Sequence, residues 1–94
     1  MTAAVTDNAD LHRFELTEDG HTAELVYRLE GDHLRLVHTG VPDELGGRGL
    51  GSHLVQAAIE RAGTDGLTIQ PDCPFARSWL EKHPDAHPGV SIAF

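Results

Sequence analysis

The strongest constraint on the fold is a change in the spacing of apolar residues near residue 42 of this 94-residue chain. From residue 11 to residue 41, apolar and polar residues alternate in three runs, which is the period of half-buried strands. Two tight-turn sequences, Glu18-Asp19-Gly20 and Gly31-Asp32, separate the runs. Turns this short join antiparallel neighbours, so the first half of the chain predicts a three-stranded meander.

After the meander, apolar residues recur three and four positions apart over residues 50–62, which predicts an amphipathic helix. Residues 67–70 predict a short strand, and Pro74 suits the first turn of a second helix. The predicted fold class is therefore α+β, in the order β-β-β-α-β-α, with the strand-to-helix crossover creating a parallel pair. Residues 90–94 are apolar enough for one more strand, but five residues leave that choice open.

Charge and cysteine content narrow the class of protein. Seven Lys and Arg against fifteen Asp and Glu give a formal net charge of −8, which argues against nucleic acid as the main partner because phosphate binding relies on basic residues. The single cysteine, Cys73, cannot form an intramolecular disulfide and points to a reducing, cytoplasmic setting. The sequence has neither the run of about 18 apolar residues that a membrane span needs nor the pattern of a signal peptide.

The chain is predicted to form one domain. Residues 1–10 are polar and lack a period, so we expect a flexible tail, followed by a single domain over residues 11–94. The exposed edges of such a small sheet lead us to expect a monomer or a weak dimer. We expect no metal site, because His83 and His87 are separated by Pro84 and therefore do not share a continuous helix.

The segment Gly46-Gly47-Arg48-Gly49-Leu50-Gly51-Ser52 lies where the meander gives way to the first helix. Glycines let a ligand approach the backbone, free N–H groups at a helix start attract anions, and Arg48 adds a positive charge. One interpretation is a phosphate-binding turn, and the other is a flexible loop that only leads into the helix. The spacing alone does not distinguish these two interpretations. The segment lacks the Gly-Lys-Ser/Thr of a P-loop and the third glycine of a dinucleotide-binding fingerprint, so both of those motifs are excluded.

This segment resembles the pyrophosphate motif of the GNAT superfamily of acyl-CoA-dependent N-acetyltransferases, which reads Arg/Gln-x-x-Gly-x-Gly/Ala at the start of a helix. Gly49 and Gly51 match the motif, whereas Gly46 stands where Arg or Gln is usual. An ordered set of further motifs is similar to the short, YjdJ-like branch of the superfamily and covers roughly residues 11–85. These motifs are Arg13-Phe14, Tyr27, His38-Thr39 with Val41-Pro42, Pro71-x-Cys73-Pro74-Phe75 and Lys82-His83-Pro84.

The resemblance implies a GNAT-like fold that uses acetyl-CoA as cosubstrate and transfers the acetyl group to an amine that the sequence does not identify. It implies that the pantetheine arm pairs with the strand ending at Thr39-Gly40-Val41, between that strand and residues 67–70. It places the pyrophosphate on the glycine turn, at Gly47, Arg48, Gly49, Gly51 and Ser52. Two other classes stay open: a CoA-binding module without catalysis, and a protein-interaction domain that binds no nucleotide.

Two residues are candidates for the chemistry. Cys73 is predicted at the N-cap of the second helix, which stabilises a thiolate, and the resemblance places a cysteine here near the end of the acyl thioester. It is either a nucleophile that relays the acyl group or an inert buried residue. His38, near the end of the third strand, is either a general base or a cap for the sheet. The only tyrosine, Tyr27, is predicted to pack in the core or the groove rather than to act as an acid.

Overall fold

In the computed structural model, which describes residues 5–94, a five-stranded sheet carries two α-helices. The strands are β1 (Thr6–Asn8), β2 (Arg13–Glu18), β3 (His21–Glu30), β4 (His33–Gly40) and β5 (Thr68–Pro71), and the helices are α1 (Leu50–Asp65) and α2 (Pro74–Lys82). The order of strands in the sheet follows the chain, with antiparallel pairs from β1 to β4 and a parallel pair of β4 with β5. The α+β class, the meander and the parallel pair are confirmed, and β1 is an additional strand.

The additional strand lies in the segment that the sequence predicted as a flexible tail. Thr6–Asn8 pairs with β2, so that prediction is wrong for these residues, while residues 1–4 lie outside the described part of the chain. The reason is tertiary, because the Asp7 carboxylate accepts hydrogen bonds from the Tyr27 hydroxyl and the Arg61 guanidinium. A strand of three residues is also too short to show a period in the sequence.

Both helices pack on one face of the sheet, and the core lies between the two layers. Successive side chains of a strand point to opposite faces, so buried and exposed residues alternate. The face away from the helices is polar and carries cross-strand pairs, such as Arg13 with Glu24 at 2.8 Å and Arg35 with Glu30 at 3.0 Å. The buried strand residues are Phe14, Leu16, Ala23, Leu25, Tyr27, Leu34, Leu36 and Ile69, and those of the helices include Leu54, Val55, Ala58, Ala62, Ala76 and Leu80.

A β-bulge interrupts the pairing of β3 with β4. Leu36 and His38 pair with two residues of β3 that are neighbours in sequence, so Val37 has no partner on that strand. Because a bulge inserts one extra residue, it moves every later residue of its strand to the opposite face. Thr39, which pairs with the buried Leu25, therefore lies on the side that faces the helices.

The parallel strands β4 and β5 pair over only part of their length. β5 pairs with His33–Leu36 and ends at Pro71, which has no N–H to donate to a longer ladder. The last link is a hydrogen bond of 2.8 Å from the Cys73 N–H to the Leu36 carbonyl, after which the chain turns into α2. Within residues 5–94, residues 38–40 consequently pair with β3 and with no other strand, and a slot separates this end of β4 from the start of α2.

The C-terminus adds one isolated contact to the sheet. Ile92 forms a single parallel bridge with Ile69 of β5. The Ile69 N–H donates to the Ser91 carbonyl at 2.9 Å, and the Ile69 carbonyl accepts from the Ala93 N–H at 2.7 Å. The choice that the sequence left open for residues 90–94 is therefore settled as a bridge rather than a full strand.

Candidate functional site

The slot opens into a cavity of about 470 Å³. Its walls are the end of β4, the loop that follows it, and the first turns of α1 and α2. Six of the seven binding residues expected from the sequence lie together in this lining, and Arg48 does not. The lining residues are Thr39, Val41, Pro42, Asp43, Leu45, Gly46, Gly47, Gly49, Leu50, Gly51, Ser52 and Phe75.

The glycine turn presents the unpaired end of α1 to the cavity. Gly49 is the N-cap with φ of 74°, a left-handed conformation that glycine adopts without steric cost, and no side chain caps the helix. The N–H groups of Leu50, Gly51 and Ser52 precede the first intrahelical bond, so they have no acceptor within the helix. Free N–H groups and the helix dipole together favour an anion at this position.

Gly51 is required by the close approach of α2. A Cβ atom at this position would lie 2.7 Å from Cζ of Phe75, closer than real carbon contacts permit. The absent side chain lets the Phe75 ring pack over α1 and form one wall of the cavity. Helical spacing from Trp79 and Leu80 would favour a core position for Phe75, but this residue is 43% exposed and lines the cavity.

The side-chain hydroxyl of Ser52 contacts α2, whereas its backbone N–H lies at the cavity. Its hydroxyl oxygen accepts a hydrogen bond of 2.9 Å from the indole N–H of Trp79, which ties α1 to α2. Its backbone N–H is one of the three at the start of α1 that have no acceptor within the helix. The side chain therefore links the two helices through its acceptor oxygen, and the backbone N–H of Ser52 is available to an anion.

Arg48 turns its charge away from the cavity. One guanidinium nitrogen, NH1, donates to the carboxylates of Asp19 at 2.8 Å and Glu18 at 3.1 Å, in the turn between β2 and β3. The sequence predicted Arg48 as a pyrophosphate ligand, and it is instead engaged by two carboxylates. Asp43 is the one charged residue in the cavity lining of residues 5–94, so an anion in this cavity would rely on backbone N–H groups.

Cys73 lies at the N-cap of α2, as predicted, and its thiol is only 5% exposed. Its Sγ atom is 3.2 Å from the Thr39 hydroxyl, across the slot. Burial raises the pKa of the Cys73 thiol, but hydrogen bonds from the Thr39 hydroxyl and from the backbone N–H groups of Ala76, Phe75 and Thr39 outweigh it, and the net pKa is lowered. The thiol is therefore poised toward the thiolate, the nucleophilic form.

His38 lies on the opposite face of the sheet from Thr39. Uninterrupted alternation along the strand would place it on the same face as Leu34 and Leu36, but the bulge at Val37 reverses the two faces. The imidazole is exposed on the polar face. Because of the bulge, Thr39 rather than His38 faces the cavity. The alternation of apolar and polar residues in the sequence does not reveal this change.

Comparison with known families decides the class of this protein. A family model described as GCN5-related N-acetyl-transferase matches residues 13–88. The chain belongs to the GCN5-related N-acetyltransferase family. The match begins at the first residue of β2 and ends beyond α2, so it includes the glycine turn and Cys73.

Two individual proteins resemble this family member over nearly its whole length. A solution structure of a GCN5-like protein from Staphylococcus aureus, assigned to the N-acetyltransferases, superposes with a TM-score of 0.75 at 30% identity, covering 99% of this chain and 92% of that one. A 23S rRNA (guanine(748)-N(1))-methyltransferase of Streptomyces fradiae is 34% identical over 92 residues, or 95% of this chain. The present chain spans 32% of that enzyme, whose named activity belongs to the longer protein.

The described residues contain neither a membrane-spanning helix nor a cluster of metal ligands. Neither helix of the described residues has the length and apolar character to cross a membrane. In residues 5–94, no three His, Cys, Asp or Glu side chains come together in a way that would hold a metal ion.

Proposed function

We propose that this protein binds acetyl-CoA in the cavity and transfers the acetyl group to an amine. The observation that carries the proposal is the edge of β4 beyond Leu36, which β5 does not cover and which borders a cavity with free N–H groups at the start of α1. Thr39, in the lining of that cavity, contacts the buried Cys73 thiol, whose pKa is lowered. Membership in the family supports acetyl transfer in general.

The glycine turn accounts for the phosphate end of acetyl-CoA. The backbone N–H groups of Gly47, Gly49, Gly51 and Ser52 would hold the pyrophosphate, because they lie at the positive end of the α1 dipole. Glycine at three of these positions keeps side chains out of the path of the ligand. The cavity provides no free Lys or Arg among the residues described, so we expect the affinity to come mainly from directed hydrogen bonds.

The end of β4 accounts for the pantetheine arm, whose amides can pair with a strand edge as a further strand does. The backbone of Thr39–Val41 provides that edge. Val41 and Phe75 are 38% and 43% exposed on opposite walls, and they provide apolar contacts for the methylene groups. The arm would then run toward the slot, where Thr39 and Cys73 meet.

Two routes of transfer fit the residues at the slot. In the relay route, Cys73 Sγ attacks the thioester carbonyl carbon, the bond from that carbon to the CoA sulfur breaks, and the departing thiolate takes a proton from solvent. A neutral amine then attacks the S-acetyl group, forms the amide, returns Cys73 to the thiolate and releases its proton to water. In the direct route, the amine nitrogen attacks the thioester carbonyl carbon of acetyl-CoA, the bond from that carbon to the CoA sulfur breaks, and the CoA thiolate leaves. The proton of the amine passes to water, because His38, the base expected from the sequence, lies on the opposite face of the sheet.

Titration of acetyl-CoA into the protein tests the cofactor. The variant Gly49→Glu places a carboxylate in the cavity, whereas Gly66→Glu is a matched control at the other end of α1, since both positions have positive φ and open space around a new Cβ. We expect saturable binding in the wild type and in Gly66→Glu, and none in Gly49→Glu. Absence of binding in the wild type at millimolar ligand would refute the proposal and favour a protein-interaction domain.

Intact mass after incubation with acetyl-CoA tests the route. The relay predicts one added acetyl group in the wild type, which disappears in Cys73→Ala and after addition of a productive amine. An unmodified protein that still acetylates amines supports the direct route, and Cys73→Ala would then keep its rate. Binding without transfer to any amine of a broad panel would identify a CoA-binding module instead of an enzyme.

A further inference from the structure

The position of Arg48 between two cavity-lining glycines contrasts with the direction of its side chain. Gly47 and Gly49 both line the cavity, and Arg48 does not. Its guanidinium instead reaches Asp19 and Glu18 at 2.8 and 3.1 Å. The ion pairs join the turn between β2 and β3 to the glycine turn, across nearly thirty residues of sequence.

The acceptor side of this contact is rigid. Asp19 and Gly20 have φ values of 52° and 78°, the left-handed pair of a type I′ hairpin turn. The turn closes a regular antiparallel pair in which Glu18 lies opposite His21. The sheet thus holds the backbone that carries the two carboxylates, and this pair is the anchor of the contact; the Glu18 side chain is 22% exposed and that of Asp19 is 70% exposed.

The donor side of the contact is a glycine-rich turn beside the cavity. Three of the four residues from 46 to 49 are glycines, and glycine loses more conformational freedom on ordering than any other residue. Arg48 adds a third contact, from NH2 to the Glu44 carbonyl at 3.4 Å, so it joins both sides of its own loop to the anchor. A contact of this kind reduces the entropy that a ligand would otherwise lose on binding.

We propose that Arg48 is a positioning residue, which holds the glycine turn in its anion-binding conformation through Glu18 and Asp19 and does not itself contact the phosphates. This inference rests on the proposed function, because it concerns how the same turn binds CoA. A direct phosphate contact would require Arg48 to leave both carboxylates. Since its side chain is 42% exposed, the ion pairs are of moderate strength and the expected effect is a few-fold one.

The double substitution Glu18→Gln with Asp19→Asn separates the two roles by the sign of the effect. Asn tolerates the positive φ at position 19, so the hairpin turn is retained. A positioning role predicts that CoA binds roughly threefold to tenfold more weakly, because the anchor for Arg48 is lost. A phosphate ligand released from two carboxylates would bind CoA more tightly, since two negative charges have gone.

Calorimetry on the wild type, Arg48→Gln, the Glu18/Asp19 variant and the triple variant completes the test. We expect the triple variant to bind as weakly as either of the others, because all remove one shared interaction, and we expect Arg48→Lys to recover part of the affinity. The KM for S-acetylpantetheine, which has no pyrophosphate, should not change in any of them. Arg77→Gln, which breaks an exposed pair with Glu81 on α2, is the control and should bind normally.

The outcomes distinguish this proposal from the one on which it rests. A wild type that does not bind CoA overturns both. A wild type that binds CoA, together with tighter binding by the Glu18/Asp19 variant or a further loss on adding Arg48→Gln to it, overturns the positioning role alone. An equal rise in the KM for S-acetylpantetheine would also overturn it, because the effect would then be general.

Discussion

The two ends of α1 are built alike but are left in opposite hydrogen-bonding states. Both caps are glycines with positive φ, 74° at Gly49 and 68° at Gly66. At the C-terminal end, the N–H groups of Gly66 and Leu67 both donate to the Ala62 carbonyl, so backbone hydrogen bonds cap that end. At the N-terminal end no side chain caps the helix, and its N–H groups face a cavity. The incomplete end is where the fold leaves capacity for a ligand.

The largest expected effect comes from filling the space at Gly51. In Gly51→Ala the new Cβ would meet the Phe75 ring, which must swing outward because it is the flexible partner. We expect acetyl-CoA affinity to fall about tenfold and stability to fall by about 1 kcal/mol, as overpacking outweighs the gain in helix propensity. Calorimetry and urea unfolding measure the two. Unchanged affinity would show that the position of the Phe75 ring is irrelevant to binding.

The start of α2 can be compared with the start of α1. The N-cap of α2 is the buried Cys73, whereas the N-cap of α1 is Gly49, which lines the cavity. Since the pKa of Cys73 is lowered, we expect the rate of alkylation by iodoacetamide to rise with pH about a midpoint below that of a free thiol. Thr39→Val should raise the midpoint, and Thr39→Ser should restore it. By linkage, the Cys73 thiolate stabilises the fold above the pKa of the unfolded thiol, and that contribution disappears as pH falls through the lowered value. A midpoint that is the same in Thr39→Val would contradict a role for this hydrogen bond.

Ser52 tests whether side chain and backbone at the open end have separate roles. Ser52→Ala removes the acceptor of the Trp79 indole N–H, and we expect a loss of roughly 1 kcal/mol in the free energy of unfolding. Acetyl-CoA affinity should stay within twofold of the wild type, because the backbone N–H remains. Trp79→Phe is the companion variant, which removes the donor. A large loss of affinity in Ser52→Ala, with the fold intact, would instead assign the hydroxyl to the ligand.

The smallest effect is expected toward the C-terminal end of α1. At Gly63 a Cβ would meet Val90 at 3.6 Å, an ordinary contact distance. Gly63→Ala should therefore stabilise the protein by about 0.5–1 kcal/mol through helix propensity, and it should leave acetyl-CoA binding unchanged. Thermal unfolding with and without ligand measures both. Destabilisation would indicate that the contact with Val90 is tighter than the geometry implies.

The sequence predicted most of the scaffold because its signals are local. Alternation gave β2, β3 and β4, helical spacing gave α1, and the order of these elements required the parallel pair with β5. The same local signals failed for β1, which three residues form through contacts of Asp7 with distant side chains. They failed also at Val37, because one inserted residue reverses a period of two without any mark in composition.

The candidate site shows the same division. Gly47, Gly49, Gly51 and Ser52 were predicted from their place at a strand-to-helix junction, and they do line one cavity. The contacts of Arg48 with Glu18 and Asp19 could not be predicted, because the sign of a charge shows in a sequence while its partner does not. Leu45 and Phe75 were missed as lining residues, since an apolar residue at a cavity wall has the same signature as one in the core.

By itself, the sequence determined the α+β order, the glycine-rich start of α1 and the cysteine at the start of α2. These features depend on residues that are neighbours along the chain, where spacing and φ preferences act directly. Only the tertiary structure decided that Thr39 and not His38 faces Cys73, and that Arg48 pairs with Glu18 and Asp19. Both depend on how distant segments meet, and a hydrogen bond across thirty residues is set by the packing of the whole sheet rather than by either segment.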